Sequence, residues 1–225
     1  DGEGANSFGQ DSKADGDYSF AVGRGAEAQE DYSFALGSSA VASGESSIAL
    51  MENAKAQGDA SFAVGFEAET GAESAIAIGK FSISSGEGAV AIGTNTSALA
   101  EGAVSIGGNT EASSDYAVAL GGNTTASGAW SFAVGKSSNA VGGSSVAMGS
   151  GSDAYGSTSF AVGSDSKTEG KSSIAMGQDA YSYGEASVSL GNKTLSYGKG
   201  SLAVNEESFA AYEADVALGK SVSGA

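Results

Sequence analysis

The sequence predicts an all-β fold, a β-solenoid built from fourteen-residue coils, and three observations support this prediction. A pentapeptide of alternating small and bulky residues returns at a constant spacing of fourteen, from SFAVG at Ser19 and SFALG at Ser33 to DVALG at Asp215. Sixteen copies, counting a weaker one at Ala5, keep one phase without insertion or deletion. Glycine ends the pentapeptide in fourteen of the sixteen copies. Repetition at a fixed period is typical of stacked repeat architectures.

The first strand of each coil covers positions 1 to 5, counted from the start of the pentapeptide. Position 2 is Phe, Ile, Val or Leu in every copy but the first, position 4 is always bulky and apolar, and position 3 is Ala or Ser. This alternation with period two indicates a β-strand and has no helical counterpart. Gly at position 5, replaced only by Met51 and Asn205, predicts that the strand ends in a tight turn.

The second strand follows at positions 8 to 11. Positions 8 and 10 are small, as in Ala26 and Ala28, whereas positions 9 and 11 vary freely. This pattern predicts one buried and one solvated face, and Gly at position 12 in ten copies predicts a second turn. Two strands and two turns account for the whole repeat. Because stacked strands lie about 4.8 Å apart, residues 1–225 are expected to form one repeat domain, a rod about 75 Å long.

Two side-chain arrangements fit this coil. In the preferred one, small residues at positions 3, 8 and 10 fill a thin interior, and the bulky residues at positions 2 and 4 form an outward apolar ridge. In the alternative, positions 2 and 4 point inward and positions 1 and 3 form a flat Ser/Ala contact face. An exposed ridge would have to pack against identical copies in a cyclic oligomer. The position-4 residues expected in that interface are Val22, Leu36, Ile78, Ile92, Ile106, Leu120, Val134 and Val162.

Composition narrows the possible functions. The chain has no Cys, His or Pro, which removes disulfides, thiol chemistry, thiolate metal sites and His-based catalysis. We therefore expect no catalytic residue, metal site or cofactor. The Gly-Asn pairs before Thr110 and Thr124 resemble calcium β-roll motifs only slightly and are interpreted as turn residues.

The charge is strongly acidic. A net charge of −17 argues against nucleic acid and anionic membrane partners. It is uneven, because residues 1–112 contain 17 acids and 4 bases, net −13, whereas residues 113–225 contain 10 acids and 6 bases, net −4. No run of about 18 apolar residues predicts a membrane span. The chain is expected to be a fragment of a longer protein.

Positions 9 and 11 depart from their polar character in the C-terminal coils. Aromatic and aliphatic residues occupy them there and are predicted to form one exposed patch that binds a partner: Tyr181, Tyr183, Leu195, Tyr197 and Phe209, with Tyr155 two coils earlier. Packing against a following domain is an equally open alternative. At position 14, aromatic residues are predicted to pack as core at the coil edge or between subunits: Tyr18, Tyr32, Tyr116 and Trp130.

The repeats AIAIG at Ala75, AVAIG at Ala89 and SVAMG at Ser145 resemble the YadA-like head repeats of trimeric autotransporter adhesins. The resemblance extends over nearly the whole chain. It implies a left-handed parallel β-roll, a homotrimer, and display on the outer surface of a Gram-negative bacterium. It also implies adhesion to host extracellular-matrix or cell-surface proteins. The alternative function is a structural spacer rod that projects another domain and binds no ligand.

Overall fold

The computed structural model describes residues 2–220, and all of its regular secondary structure in that range is β-strand. Residue contacts divide the chain into two compact units, residues 1–112 (the N-terminal unit) and 113–225 (the C-terminal unit). In both units a three- to five-residue strand alternates with a two-residue strand. The predicted β-solenoid of stacked fourteen-residue coils is confirmed. Whether residues 1–225 form one domain stays a prediction.

The strands of each unit follow the repeat. In the N-terminal unit they are β1 (Asn6–Phe8), β2 (Lys13–Ala14), β3 (Phe20–Val22), β4 (Glu27–Ala28), β5 (Phe34–Leu36), β6 (Val41–Ala42), β7 (Ile48–Leu50), β8 (Lys55–Ala56), β9 (Phe62–Val64), β10 (Glu69–Thr70), β11 (Ile76–Ile78), β12 (Ile83–Ser84), β13 (Val90–Thr94), β14 (Ser97–Ala98), β15 (Val104–Gly108) and β16 (Glu111–Ala112). In the C-terminal unit they are β17 (Val118–Gly122), β18 (Thr125–Ala126), β19 (Phe132–Lys136), β20 (Asn139–Ala140), β21 (Val146–Ser150), β22 (Asp153–Ala154), β23 (Phe160–Val162), β24 (Lys167–Thr168), β25 (Ile174–Met176), β26 (Tyr181–Ser182), β27 (Val188–Leu190), β28 (Leu195–Ser196), β29 (Leu202–Val204), β30 (Phe209–Ala210) and β31 (Val216–Leu218).

Like strands pair in parallel, with each residue opposite its equivalent in the next repeat. Ile76 pairs with Val90 between β11 and β13, and Leu195 pairs with Phe209 between β28 and β30. The odd-numbered strands form one sheet within each unit and the even-numbered strands form another. Because the register is one full repeat, every position of the repeat pattern forms a column of equivalent side chains.

The interior of each unit is filled by small side chains. Ala21 at position 3 and Ala28 at position 10 are completely buried, and their equivalents in the other coils are buried too, except Ser7 in β1, which is exposed. The arrangement with small residues inside is therefore confirmed, and the alternative with positions 2 and 4 inside is wrong. The thin coil has no room for larger groups. Position 1, exemplified by Ser19 and Ala89, also lies inside, which the preferred arrangement did not include.

Some of the Ser and Thr hydroxyl groups that replace Ala in the interior bond to one another, whereas others, such as those of Ser19 and Thr96, have no hydrogen-bond partner among the described residues. The Thr70 hydroxyl donates to that of Ser61 at 2.9 Å, and the Ser105 hydroxyl donates to that of Thr110 at 2.8 Å. Thr110 and its column neighbours at position 8 are buried, as the repeat pattern predicted. A hydroxyl costs little in this interior when it finds such a partner.

The turns require left-handed backbone at fixed positions. Asn109 and Asn123 at position 7 both have φ of 53°, which agrees with their interpretation as turn residues. Position 14 is also left-handed, and there even Tyr18 and Trp130 adopt φ of 56° and 60°. Turn amides donate to carbonyls of the preceding coil, as Tyr18 does to Glu3 at 2.8 Å. The turns are therefore held by the same coil-to-coil bonding as the strands.

Candidate functional site

The outward face of the short strands presents positions 9 and 11 to solvent. Position 10, which lies between them in the sequence, points into the interior. In the C-terminal unit, β26, β28 and β30 and the residue after each strand place aromatic or aliphatic side chains at positions 9 and 11. The aromatic patch is the set of residues predicted from the sequence as a partner site: Tyr181, Tyr183, Leu195, Tyr197 and Phe209. Strand pairing aligns Tyr181 with Leu195 and Leu195 with Phe209. The structure thus brings all five together on one face.

Ring contacts join the members of the aromatic patch. Tyr183 and Tyr197 are stacked with ring centroids 4.7 Å apart and an interplanar angle of 11°. Tyr181 lies 6.3 Å from Tyr183, and Phe209 meets Tyr197 edge-on at 6.0 Å. Tyr197 is 50% exposed, whereas Tyr183 and Phe209 are half-buried. Pairing of rings in adjacent coils therefore makes a continuous apolar surface with phenol groups available for hydrogen bonds.

A charged cluster extends the aromatic patch toward Tyr155. The Lys167 ammonium lies 5.3 Å from the centre of the Tyr155 ring and 2.7 Å from the Glu169 carboxylate. The hydrogen bond to Glu169 raises the pKa of Lys167 above its usual value, and burial raises the pKa of the Tyr155 and Tyr183 phenols. Lys167 and Glu169 were not among the residues predicted from the sequence for this surface. The sequence pattern that could have identified them is a Lys at position 9 and a Glu at position 11 in the coil between those that contain Tyr155 and Tyr183.

The outward face of the longer strands carries the apolar ridge predicted for subunit contact. Leu36 and Ile106 are 42% and 38% exposed in the isolated chain, and the other six predicted interface residues are half-buried. Strand pairing places Ile78, Ile92 and Ile106 in one column. The eight residues therefore point outward, on the side of the coil opposite to the short strands. Their contact with other subunits stays a prediction.

The position-14 aromatic residues lie at the coil edge, one of the two placements predicted, but they are exposed in the isolated chain, so the prediction that they are core is wrong for the monomer. Tyr18 and Tyr32 are 56% and 58% exposed and stack on each other at 5.6 Å. Tyr116 stacks on Trp130 at 4.3 Å. The left-handed backbone of the turn directs these rings along the outside of the coil edge. Packing of these rings between subunits remains untested.

A shallow groove in the N-terminal unit was not anticipated from the sequence. Its volume is about 380 Å³, and its lining residues lie at positions 7 and 9 of three consecutive coils: Asn53, Lys55, Glu67, Glu69, Phe81 and Ile83. The Lys80 ammonium lies 4.8 Å from the centre of the Phe81 ring. Because the groove mixes one lysine, two carboxylates and two apolar side chains, it has no single chemical character.

Within residues 2–220 no group of three or more Asp or Glu side chains is arranged to hold a metal ion. None of the described residues forms a helix long and apolar enough to cross a membrane.

The comparison with known families agrees with the fold. The family model described as YadA head domain repeat, in two copies, matches residues 1–26, 28–50, 52–68, 56–82, 71–96, 84–110, 98–124, 112–138, 126–152, 140–166, 154–180 and 169–194. The matches that begin at residues 84, 98, 112, 126, 140 and 154 follow one another at the period of the coils. No curated protein matches the chain. The stacked coils and the repeated matches together show that this chain belongs to the YadA head domain family, whose members are adhesin-type surface proteins.

Proposed function

We propose that this chain is the head of a bacterial surface adhesin that binds a host extracellular-matrix or cell-surface protein through the aromatic patch. The single observation that carries the proposal is the ring-to-ring continuity from Tyr181 to Phe209 on an outward face. Equivalent positions in the other coils hold mainly polar or small residues. Concentration of exposed aromatic residues in one place is typical of binding hot spots.

The head acts as a homotrimer anchored to the outer membrane by other parts of the protein. The apolar ridge supports trimer formation, because partly exposed aliphatic columns such as Ile78, Ile92 and Ile106 are costly to leave in water. Packing three ridges about one axis would bury them and leave the short-strand faces free. The aromatic patch would then be presented once per subunit, so that three weak contacts could act together.

The charge of the chain favours a neutral or basic protein as the partner. The net charge of −17 would repel nucleic acid and anionic membrane surfaces. The adhesin acts by binding alone, without catalysis or a cofactor. This agrees with the non-enzymatic character typical of the family and the fold.

The test is the double substitution Tyr183→Ser and Tyr197→Ser in the intact trimer. We expect binding to an array of matrix and cell-surface proteins, and adhesion to host cells, to fall at least about tenfold. Thermal stability should change little because both rings lie outside the coil. The matched control is Tyr18→Ser with Tyr32→Ser, which removes an exposed stacked pair from the N-terminal unit and should leave binding intact.

Two results would contradict the patch as the binding site. If binding stays unchanged while stability falls only when the following domain is present, the aromatic patch is a junction between domains. If the unsubstituted trimer binds nothing on the array and cells adhere equally well after its deletion, the chain is a spacer rod without a ligand.

A further inference from the structure

Tyrosine pairs in adjacent coils are placed for oxidative cross-linking. The chain has eight Tyr and no Cys, so tyrosine is the residue that could form a side-chain cross-link upon oxidation. Tyr183 and Tyr197 are stacked at 4.7 Å, and Tyr18 and Tyr32 are stacked at 5.6 Å with an interplanar angle of 10°. The members of both pairs lie one repeat apart, and each pair is open to solvent on at least one ring.

We propose that Tyr183 and Tyr197 are a modification site at which a haem peroxidase and hydrogen peroxide form a dityrosine bond between adjacent coils. Tyr18 and Tyr32 form a second site of the same kind. This inference does not depend on the adhesin function. A bond of this kind would close a loop one repeat long and constrain the unfolded chain, as a disulfide does in other extracellular proteins.

The chemistry balances with peroxide as the oxidant. The peroxidase removes one hydrogen atom from each phenol O–H, which leaves two phenoxyl radicals whose unpaired electrons are shared with the ortho carbons. One carbon–carbon bond forms between two ortho carbons. Each of those carbons then loses its proton as the phenol O–H is restored. In total, two tyrosines and one hydrogen peroxide give one dityrosine and two waters.

Proximity explains why the stacked pairs would react with each other. A radical on Tyr183 has the Tyr197 ring as its neighbour, whereas an isolated exposed tyrosine must meet another molecule. Tyr212 provides that comparison, because it is 68% exposed and has no ring contact within residues 2–220. Coupling within a preformed pair benefits from a high effective concentration.

The experiment treats the assembled protein with a haem peroxidase and hydrogen peroxide, then denatures and digests it with trypsin. Cleavage after Lys171, Lys193 and Lys199 separates Tyr183 from Tyr197, so the bond would join peptides 172–193 and 194–199. We expect this product, two hydrogen atoms lighter than the sum of its peptides, to exceed any product containing Tyr212 at least about tenfold. The blue fluorescence of dityrosine should appear with it.

Conservative variants locate the bond. Tyr197→Phe and Tyr183→Phe keep the stacked ring but lack the phenol, so each should abolish the joined peptides. Tyr181→Phe and Tyr212→Phe should leave them unchanged. A mixture of unlabelled and nitrogen-15-labelled chains tests whether the bond lies within one chain. Joined peptides that persist in Tyr197→Phe, that carry mixed labels, or that are outnumbered by Tyr212 products would overturn the proposal.

Discussion

At the scale of single residues, glycine is favoured at position 5, where the backbone of one coil lies very close to that of the next. Gly135 at position 5 has φ of 134°, and a Cβ there would overlap the carbonyl oxygen of Gly149. Gly122 in the same unit has open space around its Cα and no positive φ. The two glycines therefore differ in what a methyl group would meet, although they lie in neighbouring coils.

Gly135→Ala should lower the free energy of unfolding by about 3 kcal/mol or more, since it combines left-handed strain with an overlap that the coil spacing cannot relieve. Gly122→Ala should change it by less than about 1 kcal/mol, in either direction. Urea denaturation followed by circular dichroism measures both. Equal effects of the two substitutions would contradict the crowding explanation.

Aspartate at position 13 is exposed to solvent but also bonds to the backbone of the preceding coil. The Asp31 carboxylate accepts a hydrogen bond from the backbone N–H of Asp17 at 2.7 Å, and Asp59 does the same for Glu45 at 2.9 Å. Part of the acidic character of the N-terminal unit therefore comes from capping between coils. We have no corresponding account of Glu87, which makes no side-chain hydrogen bond within the described part of the chain.

Asp31→Ala should destabilise the protein by about 1 kcal/mol, because the Asp17 amide loses a charged acceptor. Asp31→Asn keeps an acceptor oxygen and should retain most of that stability. Glu87→Ala, at the same repeat position, is the control and should stay within about 0.5 kcal/mol of the parent protein. Thermal denaturation distinguishes these outcomes, and a Glu87→Ala effect as large as that of Asp31→Ala would argue against capping.

At the scale of elements, each two-residue strand has one side chain in the interior and one in solvent. In β14, Ala98 is completely buried, whereas its neighbour Ser97 points outward and is half-buried. Within residues 2–220, the interior positions 8 and 10 of the second strands are occupied only by Ala, Ser and Thr. The element therefore depends on side-chain volume at one position and tolerates change at the next.

Ala98→Leu should destabilise the protein by about 3 kcal/mol because the coil cannot expand to hold three more carbon atoms. Ser97→Leu also introduces a leucine, but on the outward face, and should cost less than about 0.5 kcal/mol. Midpoints of chemical denaturation compare the pair directly. A tolerated Ala98→Leu would show that the coil is wider than its small residues indicate.

The cluster of Tyr155, Lys167 and Tyr183 predicts a dependence of stability on alkaline pH. Burial raises the folded-state pKa of both phenols above 10.0, and the bond to Glu169 raises that of Lys167 above 10.5. The unfolded chain therefore loses these protons first, and the stability that they contribute is complete below pH 10 and is lost as the pH rises through the folded values.

We expect the free energy of unfolding to fall above pH 10.0. The fall should be shallower in the double variant Tyr155→Phe with Tyr183→Phe, which removes both phenols. Tyr212→Phe, outside the cluster, is the control. Urea unfolding at a series of pH values measures the slopes, and parallel curves for the parent protein and the double variant would rule out a contribution from these two phenols.

At the scale of the whole molecule, the apolar ridge decides assembly. Replacing Ile92 and Ile106, adjacent in one column, by Asp should place charge in the subunit contact and cost several kcal/mol per subunit. We expect the trimer to be lost. Ile83→Asp with Ser97→Asp puts the same charge on the short-strand face and should leave assembly intact. Analytical ultracentrifugation measures both, and a heat-stable trimer of the Ile92 and Ile106 variant would refute the buried ridge.

The sequence by itself determined the β-solenoid, its two strands per coil and its turns, because a fourteen-residue period repeated sixteen times leaves one register for stacking. It also identified the five residues of the aromatic patch, since like positions must form columns. Only the tertiary structure decided which face of each strand is inside. The alternation of small and bulky residues fits either arrangement. The closed coil is too narrow to hold the bulky residues of positions 2 and 4, so these point outward. The exposure of the rings at position 14 and the cation–π contact between Lys167 and Tyr155 were also revealed only by the structure. Their positions depend on turn dihedral angles and side-chain directions, which no repeat spacing specifies.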